Sequence, residues 1–132
     1  MRGTLVIATI TAILASGTAA TAAMPPGEYA AAKAHIAAEY QADRQKCGAR
    51  HGNAADMCIA RARGAQSVAK AELEAQHKPS PRANYEAALA RAQAAYANAR
   101  EECDDKDGAA RKQCVHQAAS ARERAKAEAK LR

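Results

Sequence analysis

The chain has 132 residues and a formal net charge of +6, and although 48% of it is hydrophobic, 40 residues are alanine and none is Phe or Trp. A buried alanine removes little more than a methyl group from water, roughly 0.8 kcal/mol against about 1.5–3 for a Leu or Ile. A large apolar core is therefore excluded, and order in this single small domain has to come from helix propensity, close helix contacts and covalent links.

Residues 1–22 read as a secretory signal peptide. Arg2 supplies a positive start, Leu5 to Ala15 an apolar run, and Ala20-Thr21-Ala22 a small-x-small cleavage site. The apolar run is short of the about 20 residues that a membrane-spanning helix needs, so no transmembrane anchor is expected after cleavage. The first cysteine is Cys47, which argues against a lipid-anchored terminus. The expected location is the periplasm or the exterior. Beyond residue 22, 19 Lys and Arg face 14 Asp and Glu, leaving +5. Opposite charges recur at helical spacing in Arg100/Asp104, Glu102/Lys106, Asp107/Arg111 and Glu128/Arg132. Pro25-Pro26-Gly27 predicts an irregular N-terminus over 23–28.

From residue 29 one pattern is written twice. Tyr29, Tyr40, Cys47, Gly52 and Cys58 recur 56 residues later as Tyr85, Tyr96, Cys103, Gly108 and Cys114. Segments 29–76 and 85–132 align without a gap, with 17 of 48 positions identical. Both are rich in Ala, Glu, Lys, Arg and Gln, which predicts helix. Breaks fall at Lys78-Pro79-Ser80-Pro81, where prolines stop a helix, and between the cysteines of each pair. There, Gly48 and Gly52-Asn53, or Asp104-Asp105-Lys106-Asp107-Gly108, suit a glycine after one helix and an Asn or Asp capping the next. The predicted fold is all-α: two tandem helical hairpins, 29–77 and 85–132, each stapled by a disulfide and joined by a proline-containing linker over 78–84.

Helix phase gives the repeat a purpose. Ile36, Tyr40 and Cys47 lie within about 20° of Tyr29 around a helix, and Tyr85, Leu89, Tyr96 and Cys103 repeat the stripe. After the second cysteine of each pair, Ala62, Ala65 and Ala69, or Ala118, Ala121 and Ala125, form a seam of small residues. A Tyr/Cys stripe facing an alanine seam would bring backbones close, with tyrosine rings covering the seam and hydroxyls at its edge.

Four cysteines allow three pairings. The local pairing, Cys47–Cys58 with Cys103–Cys114, staples each hairpin near its turn. The crossed pairing, Cys47–Cys114 with Cys58–Cys103, would link two long helices folded at Pro79-Ser80-Pro81. The glycines between the cysteines weigh against such long helices, at about 1 kcal/mol each. Metal ligation by these cysteines is disfavoured, because structural zinc sites use Cys-x2–4-Cys spacing and His35, His51, His77 and His116 are not duplicated with them. The Cys-x-x-Cys of redox catalysis is missing too. No catalytic motif occurs, and Asp104-Asp105-x-Asp107 lacks the glycine and glutamate of a calcium loop. No basic patch alternates with stacking aromatics, so no specific nucleic-acid binding is expected. The expectation is a protein that is not an enzyme and uses no cofactor.

The repeated Cys-x10-Cys, the run Gly52-Asn53-Ala54-Ala55-Asp56-Met57-Cys58 and the stretch from Val68 to Pro81 together resemble a group of small exported Ala-rich proteins of Gram-negative, mainly betaproteobacterial, origin. They are often labelled cell envelope biogenesis protein TolA. The resemblance implies a structural or binding role in the cell envelope and supplies no site residues. The partner implied is an envelope protein or an anionic envelope surface, and exposed alanine faces make self-association a further expectation. The alternative is a periplasmic stress or chaperone-like protein that holds apolar segments of clients.

Overall fold

The computed structural model describes residues 23–131; the expected signal peptide, residues 1–22, lies outside the described residues, as does Arg132. Four helices account for nearly all of it: α1 Pro26–Cys47, α2 Asn53–His77, α3 Pro81–Cys103 and α4 Gly108–Lys130. No strand occurs among the described residues. The all-α fold of two disulfide-bonded hairpins is therefore what the chain adopts.

Helix ends follow from local chemistry, though not always as the sequence suggests. Pro26 and Pro81 open α1 and α3 at the first helical position, where proline's fixed φ fits and its missing N–H costs nothing. The stretch expected to be irregular over 23–28 therefore already contains the first turn of α1, and the linker expected over 78–84 contracts to the residues between His77 and Pro81. Ser80 caps α3 by accepting from the Ala83 backbone N–H at 3.0 Å. At the hairpin turns, Gly52 has φ 58° and Gly108 φ 54°, a region that costs a residue with a Cβ. These glycines sit at the entrance of the second helix rather than just past the first. Neither turn uses an Asn or Asp side chain as a helix cap. Arg111 pairs with Asp104 across the turn rather than with Asp107 one helical turn away.

Only successive helices touch: α1 with α2, α2 with α3, and α3 with α4. The protein is an open row of four antiparallel helices rather than a closed bundle. The cysteine-bearing turns lie at one end. The start of α1, the α2–α3 turn and the end of α4 lie at the other.

The two repeats bury matching positions: Ile36 and Ala92, Cys47 and Cys103, Ala62 and Ala118, Leu73 and Ala129. The Tyr/Cys stripe and the head of the alanine seam thus face each other within each hairpin, as phase predicts. The seam is narrower than expected, because Ala65 and Ala121 are exposed. The reason is phase: the contact line within each hairpin runs through Ala62 and Leu73, or Ala118 and Ala129, about 60–80° around the helix from Ala65 or Ala121. Cys58, Ala62 and Leu73 belong to the α1 side. Gly64 belongs to the α3 side, where an added Cβ would stand 3.0 Å from the Ala94 Cβ.

The joint between hairpins is also polar at its rims. The Asn53 side-chain amide donates to the Glu101 carbonyl at 3.2 Å and to Asp105 at 2.6 Å. Arg61 faces Glu102 at 3.5 Å and Glu72 faces Arg91 at 2.7 Å. Exposed pairs of this kind are worth only about 0.2–1 kcal/mol each, so they set register more than strength.

Candidate functional site

Every cysteine is spent on structure. Cys47 bonds Cys58 with Cα atoms 5.5 Å apart, and Cys103 bonds Cys114 at 5.6 Å. The crossed pairing does not occur. It would need α1 and α2 to run on as one helix, and Gly52 in the left-handed region ends that continuity. Cys103 is fully buried and Cys47 nearly so, which makes the disulfides part of the thin core as well as links. Disulfides are bonds of an oxidising compartment.

The four tyrosines, equivalent by repetition, have diverged in use. Tyr29 joins a knot at the open end of the first hairpin. Its ring stacks on His77 with centroids 4.1 Å apart, and its hydroxyl donates to the Glu74 carboxylate. That hydrogen bond, with minor help from desolvation and the carboxylate charge, raises the hydroxyl pKa above its usual value. The Met24 carbonyl accepts from His77 Nδ1 at 3.0 Å, so the proton sits on Nδ1. The Met24 N–H in turn donates to the Gln76 carbonyl at 3.3 Å. The segment ahead of α1 is thus tied to the last turn of α2. In the second repeat Lys130 stands where Glu74 does, so this knot cannot be copied.

Tyr40 and Tyr96 lie mid-hairpin under arginines. Arg44, on the same helix, stands 5.8 Å from the Tyr40 ring centre, whereas Arg122 crosses from α4 to lie 4.1 Å from that of Tyr96. The second contact clamps α3 to α4 and is worth roughly 0.5–1 kcal/mol at such a site.

Tyr85, the counterpart of Tyr29, instead lines a groove of about 560 Å³ where α2, α3 and the end of α4 meet. Its floor is Ala75, Ala87, Ala88 and Ala129, and its rim carries Glu72 paired with Arg91. Ala129, which stands where the first hairpin has Leu73, is the residue of α4 that lines it. Its lining is methyl groups, the Pro81 ring, one phenol, two amides and a neutralised ion pair. That set can hold a side chain or a short apolar segment, but it offers no nucleophile with a base beside it.

Among the described residues no group of three or more His, Cys, Asp or Glu is placed to hold a metal ion. The histidines are dispersed: His35 pairs with Glu39 within α1 at 3.3 Å, and His77 belongs to the knot. No described helix is long and apolar enough to cross a membrane.

Sequence reading missed Glu74 and His77 as partners of Tyr29, Met24 as the partner of His77, and Asn53 and Gly64 as the joint between hairpins. The one signal available for Gly64 was a glycine inside a long helical stretch, which usually marks close backbone approach. No protein-family model, curated protein or solved structure matches this chain.

Proposed function

We propose that this chain is a non-enzymatic structural or binding protein of the cell envelope, exported to the periplasm. The observation that carries the reading is the open row of helices. Because each helix touches only its neighbours in sequence, both broad faces and both edges of the row are left uncovered by the other described residues and can meet partners. Two disulfides hold that shape without the large core that a closed bundle would need. The surplus of Lys and Arg favours an acidic protein face or an anionic envelope polymer as the surface met. The resemblance to the exported Ala-rich group points the same way.

The test is fractionation of cells expressing the protein, with free thiols trapped at lysis and neighbours crosslinked in intact cells. The reading expects an oxidised, processed chain in the periplasmic fraction and a reproducible envelope partner. Reduced cysteines in the cytoplasmic fraction would sink it. Suppression of a client's aggregation by the purified protein would favour the chaperone-like alternative, with the Tyr85 groove as its seat.

A further inference from the structure

Among the described residues the row of helices ends in two unpartnered edges, the outer faces of α1 and α4, and the internal duplication states what fits them. Inside the chain, the second helix of one repeat (α2) packs on the first helix of the other (α3). The 56-residue offset turns α2 into α4 and α3 into α1. A second copy set beyond α4 would therefore meet it through α1, with the counterpart of the surface that α3 presents to α2. We propose that the protein associates head to tail, α4 of one molecule against α1 of the next, in the packing of its own α2–α3 joint.

The apolar part of the match is direct. On α3, the joint is centred on Ala94 against Gly64, with Ala83, Ala87 and Ala90 along the same stripe. Their counterparts on α1 are Ala38, Gly27, Ala31 and Ala34, all exposed. On α4, Ser120 replaces Gly64, keeping a small side chain at the centre. Ala127 and Leu131 replace Ala71 and Ala75, and Leu131 is 88% exposed. A shallow groove already runs along this face between His116, Ser120, Arg124 and Ala127.

The charges give a second, independent argument. Across the internal joint, Arg61 faces Glu102 and Glu72 faces Arg91. In the register those pairs set, Val68 stands opposite Ala95. Carried to the joint between molecules, the same three places hold Gln117 opposite Lys46, Glu128 opposite His35, and Arg124 opposite Glu39. Arg124 with Glu39 is acid against base and stands where the internal joint has no charge. Glu128 meets the imidazole that Glu39 already pairs with inside α1, and none of the three is like against like. All six residues are exposed in the single molecule.

The external joint is weaker than its template. Ala109 and Ala49 replace Asn53 and Asp105, losing that bond. The Ser120 Cβ also holds the helices slightly further apart than Gly64 does. Single molecules and short rows then coexist, with the balance set by concentration. Because the joint uses two different surfaces, it does not close at two copies; each added molecule extends the row by four helices, in the manner of repeat proteins. The inference concerns folded copies of the chain and holds whatever compartment or partner the proposed function has.

The test is sedimentation of the purified, disulfide-bonded protein over a range of concentrations, with circular dichroism to confirm that each variant is folded. The wild type is expected to form a series that passes beyond two copies. Ala38→Arg blocks the α1 edge and Ala127→Arg the α4 edge, both at exposed positions, so each variant alone should stay monomeric. Mixed together they should form a dimer that grows no further, since one edge of each remains intact. Arg124→Glu should weaken association roughly fivefold, as one exposed pair allows, and adding Glu39→Arg should restore it. A wild type that stays monomeric up to millimolar concentration overturns the proposal. So does a dimer that survives Ala127→Arg but not Ala38→Arg, because that pattern belongs to two α1 faces meeting each other.

Discussion

Gly64 and Ala94 mark the closest approach between the two hairpins: a Cβ added at Gly64 would come within 3.0 Å of the Ala94 Cβ. That methyl is fixed to the backbone and cannot swing aside, so the helices would have to part. Gly64→Ala should therefore forfeit most of the about 1 kcal/mol of helix propensity it gains and leave the protein no more stable than the parent. Gly64→Leu, which overpacks the joint, should cost about 1–3 kcal/mol. Urea denaturation followed by circular dichroism measures both. A clear gain for Gly64→Ala would mean that the hairpins do not approach so closely.

The two disulfides close loops of equal length, with a sequence separation of 11 in each. In the chain-entropy account each stabilises by somewhat under 3 kcal/mol. Replacing Cys47 and Cys58 by Ala should lower the unfolding free energy by about that amount, and the Cys103/Cys114 replacement should do the same. Removing both should take away a large share of the roughly 5–15 kcal/mol typical of a folded domain. The measurement is the denaturant midpoint with and without reductant. An unchanged midpoint after reduction would show that the links merely decorate a row of helices stable without them.

Much of this architecture was legible from residue order. Tyr and Cys recur in helix phase, glycines interrupt between them, and prolines separate the copies; that is enough to give four helices and to favour local pairing. The joint between hairpins was not legible, because it depends on the absence of a side chain at Gly64 and on Asn53, which looked like a helix cap. Nor was the exposure of Ala65 visible, since the contact line is centred on Ala62 and Leu73 rather than on the phase of Cys58. Tyr29 and Tyr85 hold the same place in the repeat, yet one is tied to Glu74 and His77 while the other lines a groove. The difference lies in residues 45 and more positions away along the chain, beyond the reach of a local pattern.

The Tyr29 hydroxyl titrates above its ordinary value of 10.0, chiefly through its hydrogen bond to Glu74. A folded-state pKa raised above the unfolded one contributes stability that is complete below pH about 10 and is lost as pH rises through the shifted value. The knot that ties Met24 to α2 should therefore loosen in strong alkali and hold at neutral pH. Tyrosinate absorbance should show a late-titrating component that disappears in both Glu74→Gln and Tyr29→Phe. If the Glu74→Gln curve overlays that of the parent, the contact does not form in solution.

Ala129 lines the groove beside Tyr85 and stands where the first hairpin has Leu73, and both positions are buried, at 9% and 5% exposure. If the repeats are equivalent in packing, Ala129→Leu should fill part of the groove with the side chain that its twin already accommodates. Cavity-filling changes of this kind typically add about 0.5–2 kcal/mol, and the second hairpin is the one that stands to gain. Thermal unfolding followed by circular dichroism should show a raised midpoint. The reverse change, Leu73→Ala, should cost about 2–5 kcal/mol, because the first hairpin would then lose one of its few large apolar side chains. The same pair separates two uses of the groove. If its openness serves binding of apolar segments, Ala129→Leu should stabilise the protein while abolishing capture of an apolar peptide. If the openness is only the residue of divergence between the copies, stability should rise and no binding should change.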